Sequence, residues 1–401
     1  MEKVTLAQAT ELLLQDVSRI LETEKVSLWD ADGRVLAQTI DAEKDQPPFS
    51  RSPVDGYAVR SVDIAEASRE HAVILQVIDE IAAGHVSQKQ VTEGTAIRIM
   101  TGAPIPEGAD CVIKQEHTDY GEQNVAIYNS VKAYQNYCFA GEDYHAGDKL
   151  LEKGMTLHAI EIGVLASLGY EQVEVYRRPR VALFSTGDEL ALPGQELAEG
   201  KIYDSNLYAL GIKMQAWDVQ LVTREQVGDE PEALAKRLDE ILEQVDLIVS
   251  TGGVSVGKKD IMHDVLKLLG AERIFWKMKI KPGMPTLCAK YKGKLLICLS
   301  GNPFGASVNL ELLVKPVLEK MTGRKDLQLK RKTAMIQERF DKASPVTRYV
   351  RAIYEDGKVW TPKGSNASGI LSSMCGCNCL IEIAAGTSEI CEGDTVCVVM
   401  L

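Results

Sequence analysis

Three short apolar runs, each ending in a turn of hydroxyl residues and glycine, constrain this chain more than any other feature. Val181-Ala182-Leu183-Phe184 runs into Ser185-Thr186-Gly187-Asp188-Glu189. Asp246-Leu247-Ile248-Val249 runs into Ser250-Thr251-Gly252-Gly253, and Leu295-Leu296-Ile297-Cys298-Leu299 into Ser300-Gly301-Asn302-Pro303. Apolar runs of this length, without polar alternation, predict strands buried on both faces. Helical patterns lie between them; Leu234, Leu238, Ile241 and Leu242 line one face of the segment 230–244. Strands alternating with helices predict a doubly wound α/β domain with a parallel sheet covered on both sides.

The flanks read differently. Thr5 and Gln8 have capping-box spacing ahead of a helix whose apolar face carries Leu6, Ala9, Leu12 and Leu13. Short apolar runs broken by glycine between about 72 and 150, such as 73–77 and 111–113, predict a mostly-β region. Beyond Gly323, the stretch 324–332 is read as a solvated basic linker. The rest predicts β structure, with a hairpin turning at Asp356-Gly357 and a last strand over 394–399. A chain of 401 residues is too long for one core, so these segments are separate domains.

Charge narrows the function. The net charge of −12 argues against general nucleic-acid binding, which needs an extended basic surface, but not against a pocket for a small anion. No apolar run is long enough to span a bilayer and the first residues lack the order of a secretory signal. Nine cysteines without a secreted-type framework fit a reducing compartment, so a cytoplasmic location is expected.

In an open α/β sheet, ligands bind beyond the carboxyl ends of the strands. Three glycine turns at that edge suit phosphate or another oxyanion, because glycine lets backbone N–H groups approach closely. The loop from Thr251 to Asp260 is neither a P-loop nor a dinucleotide fingerprint. Asp260 is equally a helix cap or a metal ligand, whereas Asp229, three residues before Glu232, is favoured as a cap. Asp188 and Glu189 read first as turn residues and second as carboxylates for magnesium beside phosphate. Lys277, Lys279 and Lys281 alternate, which in a strand places them on one face; that face is either solvated or a cationic wall. Cys375, Cys377 and Cys379 also alternate and are read as one side of a strand rather than a zinc site.

Six motifs then occur in order: 53–58 (Pro-Val-Asp-Gly-Tyr-Ala), 101–106 (Thr-Gly-Ala-Pro-Ile-Pro), 141–143 (Gly-Glu-Asp), 185–190 (Ser-Thr-Gly-Asp-Glu-Leu), 251–257 with Asp260, and 281–283 (Lys-Pro-Gly). Together they resemble the molybdopterin molybdenumtransferase family, the MoeA and gephyrin E-domain proteins, over nearly the whole chain. The resemblance implies an elongated four-domain subunit. Residues 1–50 with 141–177 would be a linker and dimerisation domain, and 51–140 an inserted mostly-β domain. Residues 178–325 would be the molybdopterin-binding α/β domain, and 326–401 a β-barrel-like domain.

It further implies a homodimer whose site joins the Asp55 region of one subunit to the α/β domain of the other. The implied reaction inserts molybdenum from molybdate into adenylated molybdopterin, with Mg2+, releasing AMP and molybdenum cofactor. Glu189, Asp229 and Asp260 are implied in metal and substrate handling, and Asp55 and Thr101 across the interface. Gly252, Gly253, Ser255, Lys277, Lys281, Gly301, Asn302 and Pro303 are implied around the substrate. Lys281, Arg351 and Ser372 are implied around molybdate. Implied partners are the adenylyltransferase that supplies the adenylate and the molybdoenzymes that accept the cofactor, with no nucleic acid or membrane. One departure stands out: Ser300 replaces the proline usual before Gly-Asn-Pro, which frees a φ angle and predicts a less rigid loop.

Two other functions fit parts of the pattern. The adenylyltransferase that activates molybdopterin shares only the α/β domain, so the flanking β regions argue against it. A non-catalytic peptide-binding scaffold shares the whole architecture, and the retained acids and lysines argue for catalysis.

Overall fold

The computed structural model describes residues 3–254, 261–341, 343–363 and 367–401. The chain divides into two units, one of residues 1–38, 153–162 and 171–401, the other of 39–152 and 163–170.

The first unit opens on helix α1 (Leu6–Gln15). The capping box is formed: Gln8 N–H donates to Thr5 Oγ1 at 3.2 Å and Thr5 N–H to Gln8 Oε1 at 3.0 Å. The α/β domain follows as β1 (Arg180–Thr186), α2 (Asn206–Ala216), β2 (Gln220–Val227), α3 (Pro231–Ile241), β3 (Leu247–Thr251), α4 (Ile261–Leu269), β4 (Glu272–Trp276), β5 (Leu287–Tyr291), β6 (Lys294–Leu299), α5 (Pro303–Asn309) and α6 (Lys315–Thr322). Its sheet has the order β2-β1-β3-β6-β5-β4.

The first four strands in that order are parallel; β5 runs against them, and β4, antiparallel to β5, runs with them. The sequence reading included no such edge. Its cause is the short Lys292-Gly293 turn between β5 and β6, both residues at positive φ, which permits only a hairpin.

Strand alternation sorts the core into two faces. Val181, Leu183, Val249 and Ile297 pack with α2 and the buried side of α1. Ala182, Phe184, Ile248 and Leu296 pack with Leu234, Leu238 and Ile241 of α3 and Met262 and Val265 of α4. With both faces covered, the open ground is the end of the sheet, where the three turns lie.

Arg324 corrects the linker reading. It is buried and forms an ion pair with Asp326, because Gly323 at φ +75° ends α6 and turns the chain back. The C-terminal strands are β7 (Arg331–Ile336), β8 (Thr347–Glu355), β9 (Lys358–Trp360), β10 (Cys379–Ile383) and β11 (Thr395–Met400). They pair in the order β8-β9-β7-β11-β10, and β10 returns to β8, closing a five-stranded barrel. Asp356 and Gly357, both at positive φ, make the expected hairpin turn. The three alternating cysteines do not share a strand: Cys379 starts β10, whereas Cys375 and Cys377 lie in the turn before it.

The second unit holds a five-stranded sheet in the order 111–114, 56–59, 95–99, 73–81, 124–127. Residues of its two faces form two small cores, one around Tyr57 and Ile113, the other around Ile97 and Val112. Among the described residues no helix is long and apolar enough to cross a membrane.

Candidate active site: two cavities with a common wall

The turns after β1, β3 and β6 meet around a cavity of about 650 Å3. Gly187 and Glu189 come from the first turn, Gly252 and Gly253 from the second, and Gly301, Asn302 and Pro303 from the third. Gly252 is required by geometry. Its φ is +93°, and a Cβ there would sit 2.3 Å from the Thr186 carbonyl oxygen.

One side chain fastens these turns together. Asn206, at the start of α2, donates through Nδ2 to Thr251 Oγ1 at 3.0 Å and to the Gly301 carbonyl at 2.8 Å. Thr251 Oγ1 in turn donates to the Ser300 carbonyl at 2.9 Å. The Ser300 hydroxyl accepts the Asn302 N–H at 3.3 Å. The loosening expected from losing the family proline is therefore offset, because hydrogen bonds hold the loop that a ring would otherwise stiffen.

Asp229 lines the same cavity but caps no helix. Pro231 occupies the first turn of α3, so the N-cap position falls on Glu230, which makes no side-chain cap bond. Asp229 is instead cross-braced to the β1 turn. Its N–H donates to Asp188 Oδ1 at 3.0 Å, and Asp188 N–H to Asp229 Oδ2 at 3.4 Å. Lys201 also donates to the Asp188 carbonyl. Ser255 and Asp260 lie outside the described residues.

A second cavity, of about 780 Å3, lies between the α/β domain and the barrel. Lys3, Lys281, Arg348 and Arg351 line it, and its described lining includes no carboxylate. Lys281 is carried there by a two-residue strand, Ile280–Lys281, that pairs in parallel with β8. The following Gly283 is again demanded by space: φ is +88° and a Cβ would meet Asn309 Oδ1 at 2.2 Å. Asn309 Nδ2 donates to the Gly283 carbonyl at 3.0 Å and to Thr286 Oγ1 at 2.6 Å, which fixes the turn beside Lys281.

Arg351 is almost fully buried and its terminal nitrogens are committed. They donate to the Ala367 carbonyl at 2.7 Å and the Ile370 carbonyl at 2.9 Å, with the guanidinium stacked on Phe304. Burial pushes its pKa down. Ser372 is exposed on a short 3-10 turn and lines neither cavity, whereas Ser368 lines the cationic one. Pro285, Ser300 and Asn302 line both cavities and form a common wall.

The lysines do not form one face. β4 ends at Trp276, and Lys277 at φ +70° breaks the strand. Its ammonium rests 3.7 Å from the centre of the Trp276 ring, and it lines neither cavity. In the second unit Asp55 Oδ1 accepts both the N–H and the hydroxyl of Thr101, each at 2.7 Å. These bonds hold the Asp55 carboxyl below its usual pKa range. Sequence reasoning missed Asp204, Asn206, Arg348 and Ser368. The first two carried one weak signal, a polar Asp-Ser-Asn opening a helix, and nothing in sequence placed that helix start beside the glycine turns.

The arrangement has known counterparts. Residues 4–169 match the MoeA N-terminal region (domains I and II), 182–320 a probable molybdopterin binding domain, and 333–401 the MoeA C-terminal region (domain IV). Over 404 aligned residues the chain is 37% identical to a molybdopterin molybdenumtransferase of Staphylococcus epidermidis, covering 100% of this chain and 96% of the relative. The chain belongs to the molybdopterin molybdenumtransferase family. Another family member, from Bacillus subtilis, is 38% identical over 390 residues, covering 95% of this chain and 90% of its own. The crystal structure of a molybdopterin biosynthesis moeA protein from Pyrococcus horikoshii superposes with a TM-score of 0.82 at 31% identity, covering 100% of each chain.

Proposed function

We propose that this chain inserts molybdenum from molybdate into adenylated molybdopterin, releasing AMP and molybdenum cofactor. The common wall between the two cavities carries this reading. The glycine-turn cavity suits the phosphates of an adenylate. The cationic cavity suits a tetrahedral dianion, for which charge-assisted donors from several directions are the strong partners. Asn302 and Ser300 border both, so an oxyanion and a phosphoanhydride could be held side by side. That proximity is what a coupled insertion and release requires.

Glu189 and Asp229 give the glycine-turn cavity hard carboxylate oxygens. Among the described residues no three His, Cys, Asp or Glu side chains gather into a metal set. Two carboxylates plus substrate oxygens fit magnesium, which takes few protein ligands. Bound there, magnesium would supply charge neutralisation along the phosphoanhydride as it breaks. Asp188 and the cross-brace to Asp229 would orient the acid, and the Gly252 turn would bring backbone N–H groups close to the phosphates.

The same proposal includes a homodimer, a role for Asp55 and Thr101 supplied by the second copy, and a cytoplasmic setting. It also includes receipt of the adenylate from the activating enzyme and delivery of the cofactor to molybdoenzymes. The test combines the purified protein with adenylated molybdopterin, molybdate and magnesium. Molybdate-dependent AMP release with activation of a cofactor-free molybdoenzyme is expected. Release of AMP that ignores molybdate, or consumption of ATP with molybdopterin, would overturn the reading. Mixed Asp55→Asn and Glu189→Gln subunits are expected to recover part of the activity each variant lacks.

A further inference from the structure

Two acceptor oxygens on residues lining the glycine-turn cavity have no donor among the described residues, one on Asn206 and one on Asp204. Both amide hydrogens of Asn206 are spent, on Thr251 Oγ1 and the Gly301 carbonyl. Those two bonds also fix which amide atom is which, because a carbonyl accepts only from N–H. The oxygen Oδ1 is therefore what Asn206 has left, and among the described residues no donor reaches it. Asn206 is 9% exposed and lines the cavity.

Asp204 stands beside it. The residue is 1% exposed and also lines the cavity. Its Oδ1 accepts the Leu207 N–H at 3.0 Å, but its Oδ2 is buried with no partner among the described residues. A buried carboxylate oxygen without a donor costs free energy, so such an atom in a native fold calls for an explanation. Among the described residues Asp204 joins no set of three metal-ligating side chains. Asp204 instead adds to the lining that holds Asn206 an acceptor oxygen with no partner among the described residues, which favours a hydrogen-bond donor from the ligand there.

We propose that Asn206, backed by Asp204, is a specificity residue that accepts a hydrogen bond from the exocyclic amine of the ligand's fused heterocycle. The proposal rests on the adenylate reading above and seats one amine of the ligand at Asn206, between the β3 and β6 turns. An adenylated pterin carries such an amine at each end, on adenine and on the pterin. With Nδ2 committed, Asn206 can take only the donor and cannot make the two-point contact asparagine otherwise makes with adenine. Replacing the amine by a carbonyl oxygen sets two acceptors against each other.

The test measures binding by titration calorimetry with the full chain and two ligand pairs. One pair is AMP and inosine monophosphate; the other is 6-hydroxymethylpterin and 6-hydroxymethyllumazine. Each second member carries oxygen in place of the amine. The expected result is a preference of about tenfold for the amine in one pair, the size of a single hydrogen bond made or refused. The pair that shows it identifies the end.

Asn206→Ala should abolish that preference. Thr251→Val removes one of the bonds that pin Asn206 but leaves Oδ1 in place. It should weaken both members alike and keep the ratio, which separates recognition from loop support. Equal binding of both members in both pairs by the wild type, or a ratio that survives Asn206→Ala, would overturn the assignment alone. A wild type that binds neither AMP nor the pterin would overturn the adenylate reading, and the assignment with it.

Discussion

The guanidinium of Arg351 lies 4.3 Å from the centre of the Phe304 ring while its terminal nitrogens hold the carbonyls of Ala367 and Ile370. Neighbours on that held segment line both cavities: Ser368 the cationic one, Gly369 and Leu371 the glycine-turn one. Lysine has neither the fork nor the flat face to replace these contacts. Arg351→Lys should therefore lower stability by about 2 kcal/mol. It should also weaken binding of molybdate and adenylate together, as read by thermal unfolding and by both titrations. A loss confined to molybdate, at unchanged melting temperature, would show that the brace is not its main work.

Lys281 offers the selective experiment. It is exposed at the cationic cavity and its removal leaves no buried group unpaired. Lys281→Gln should raise the molybdate concentration needed for turnover about tenfold, the scale of one charge-assisted bond, with little change in stability. Ser368→Ala should act in the same direction and Ser372→Ala should not. An effect of Ser372→Ala equal to that of Ser368→Ala would return the former to the pocket.

Glu189 is exposed on its turn, so its loss should leave folding within about 0.5 kcal/mol of the wild type. Glu189→Gln should nonetheless stop AMP release or raise the magnesium requirement steeply. Normal release across a magnesium titration would remove Glu189 from the reaction.

Gly252→Ala places a methyl group 2.3 Å from the Thr186 carbonyl and forces an alanine into φ +93°. The expected cost is at least about 2 kcal/mol, with loss of AMP binding because the turn must shift. An unfolding midpoint and an AMP affinity both equal to the wild type would contradict the close approach of the two turns.

Asp246 gives the pH dependence. Burial alone would raise its pKa, but the paired bonds from Arg177 at 2.6 and 3.0 Å and the Arg180 N–H at 2.8 Å outweigh it and depress the value. A depressed folded pKa stabilises above the unfolded value, near 4, and that contribution is lost as pH falls through the folded value. Asp246→Asn should cost about 2–4 kcal/mol at pH 7, and the gap should close as the pH falls below about 4. Urea unfolding of both proteins from pH 7 to pH 3 measures it; a gap of constant size would mean that Asp246 is not the titrating group.

The three turn-bearing strands and the 230–244 helix of the α/β domain were legible because each is encoded locally. The continuous runs at 181–184 and 295–299 admit only strands buried on both sides, and the Leu234, Leu238, Ile241 spacing only a helix face. The Thr5–Gln8 box and the Asp356-Gly357 hairpin were equally local. The errors came where a neighbour not evident in the pattern decides the outcome. Pro231 shifted the cap from Asp229 to Glu230, and Lys277 entered the left-handed region where alternation predicted a strand.

By itself, then, the sequence determined the three buried strands that carry the glycine turns, the first helix and that of 230–244, and, through six ordered motifs, the family. It could not determine which turns share a wall, because Ser300 and Asn302 border Lys281 and Arg348 only after the barrel packs on the sheet. Nor could it show that Asn206 faces the glycine turns, that Arg351 is spent on a loop, or that Ser368 rather than Ser372 reaches the cationic cavity. Periodicity and propensity act over a few residues, whereas a site is the meeting of segments tens of residues apart, and only their packing fixes which side chains face the same space.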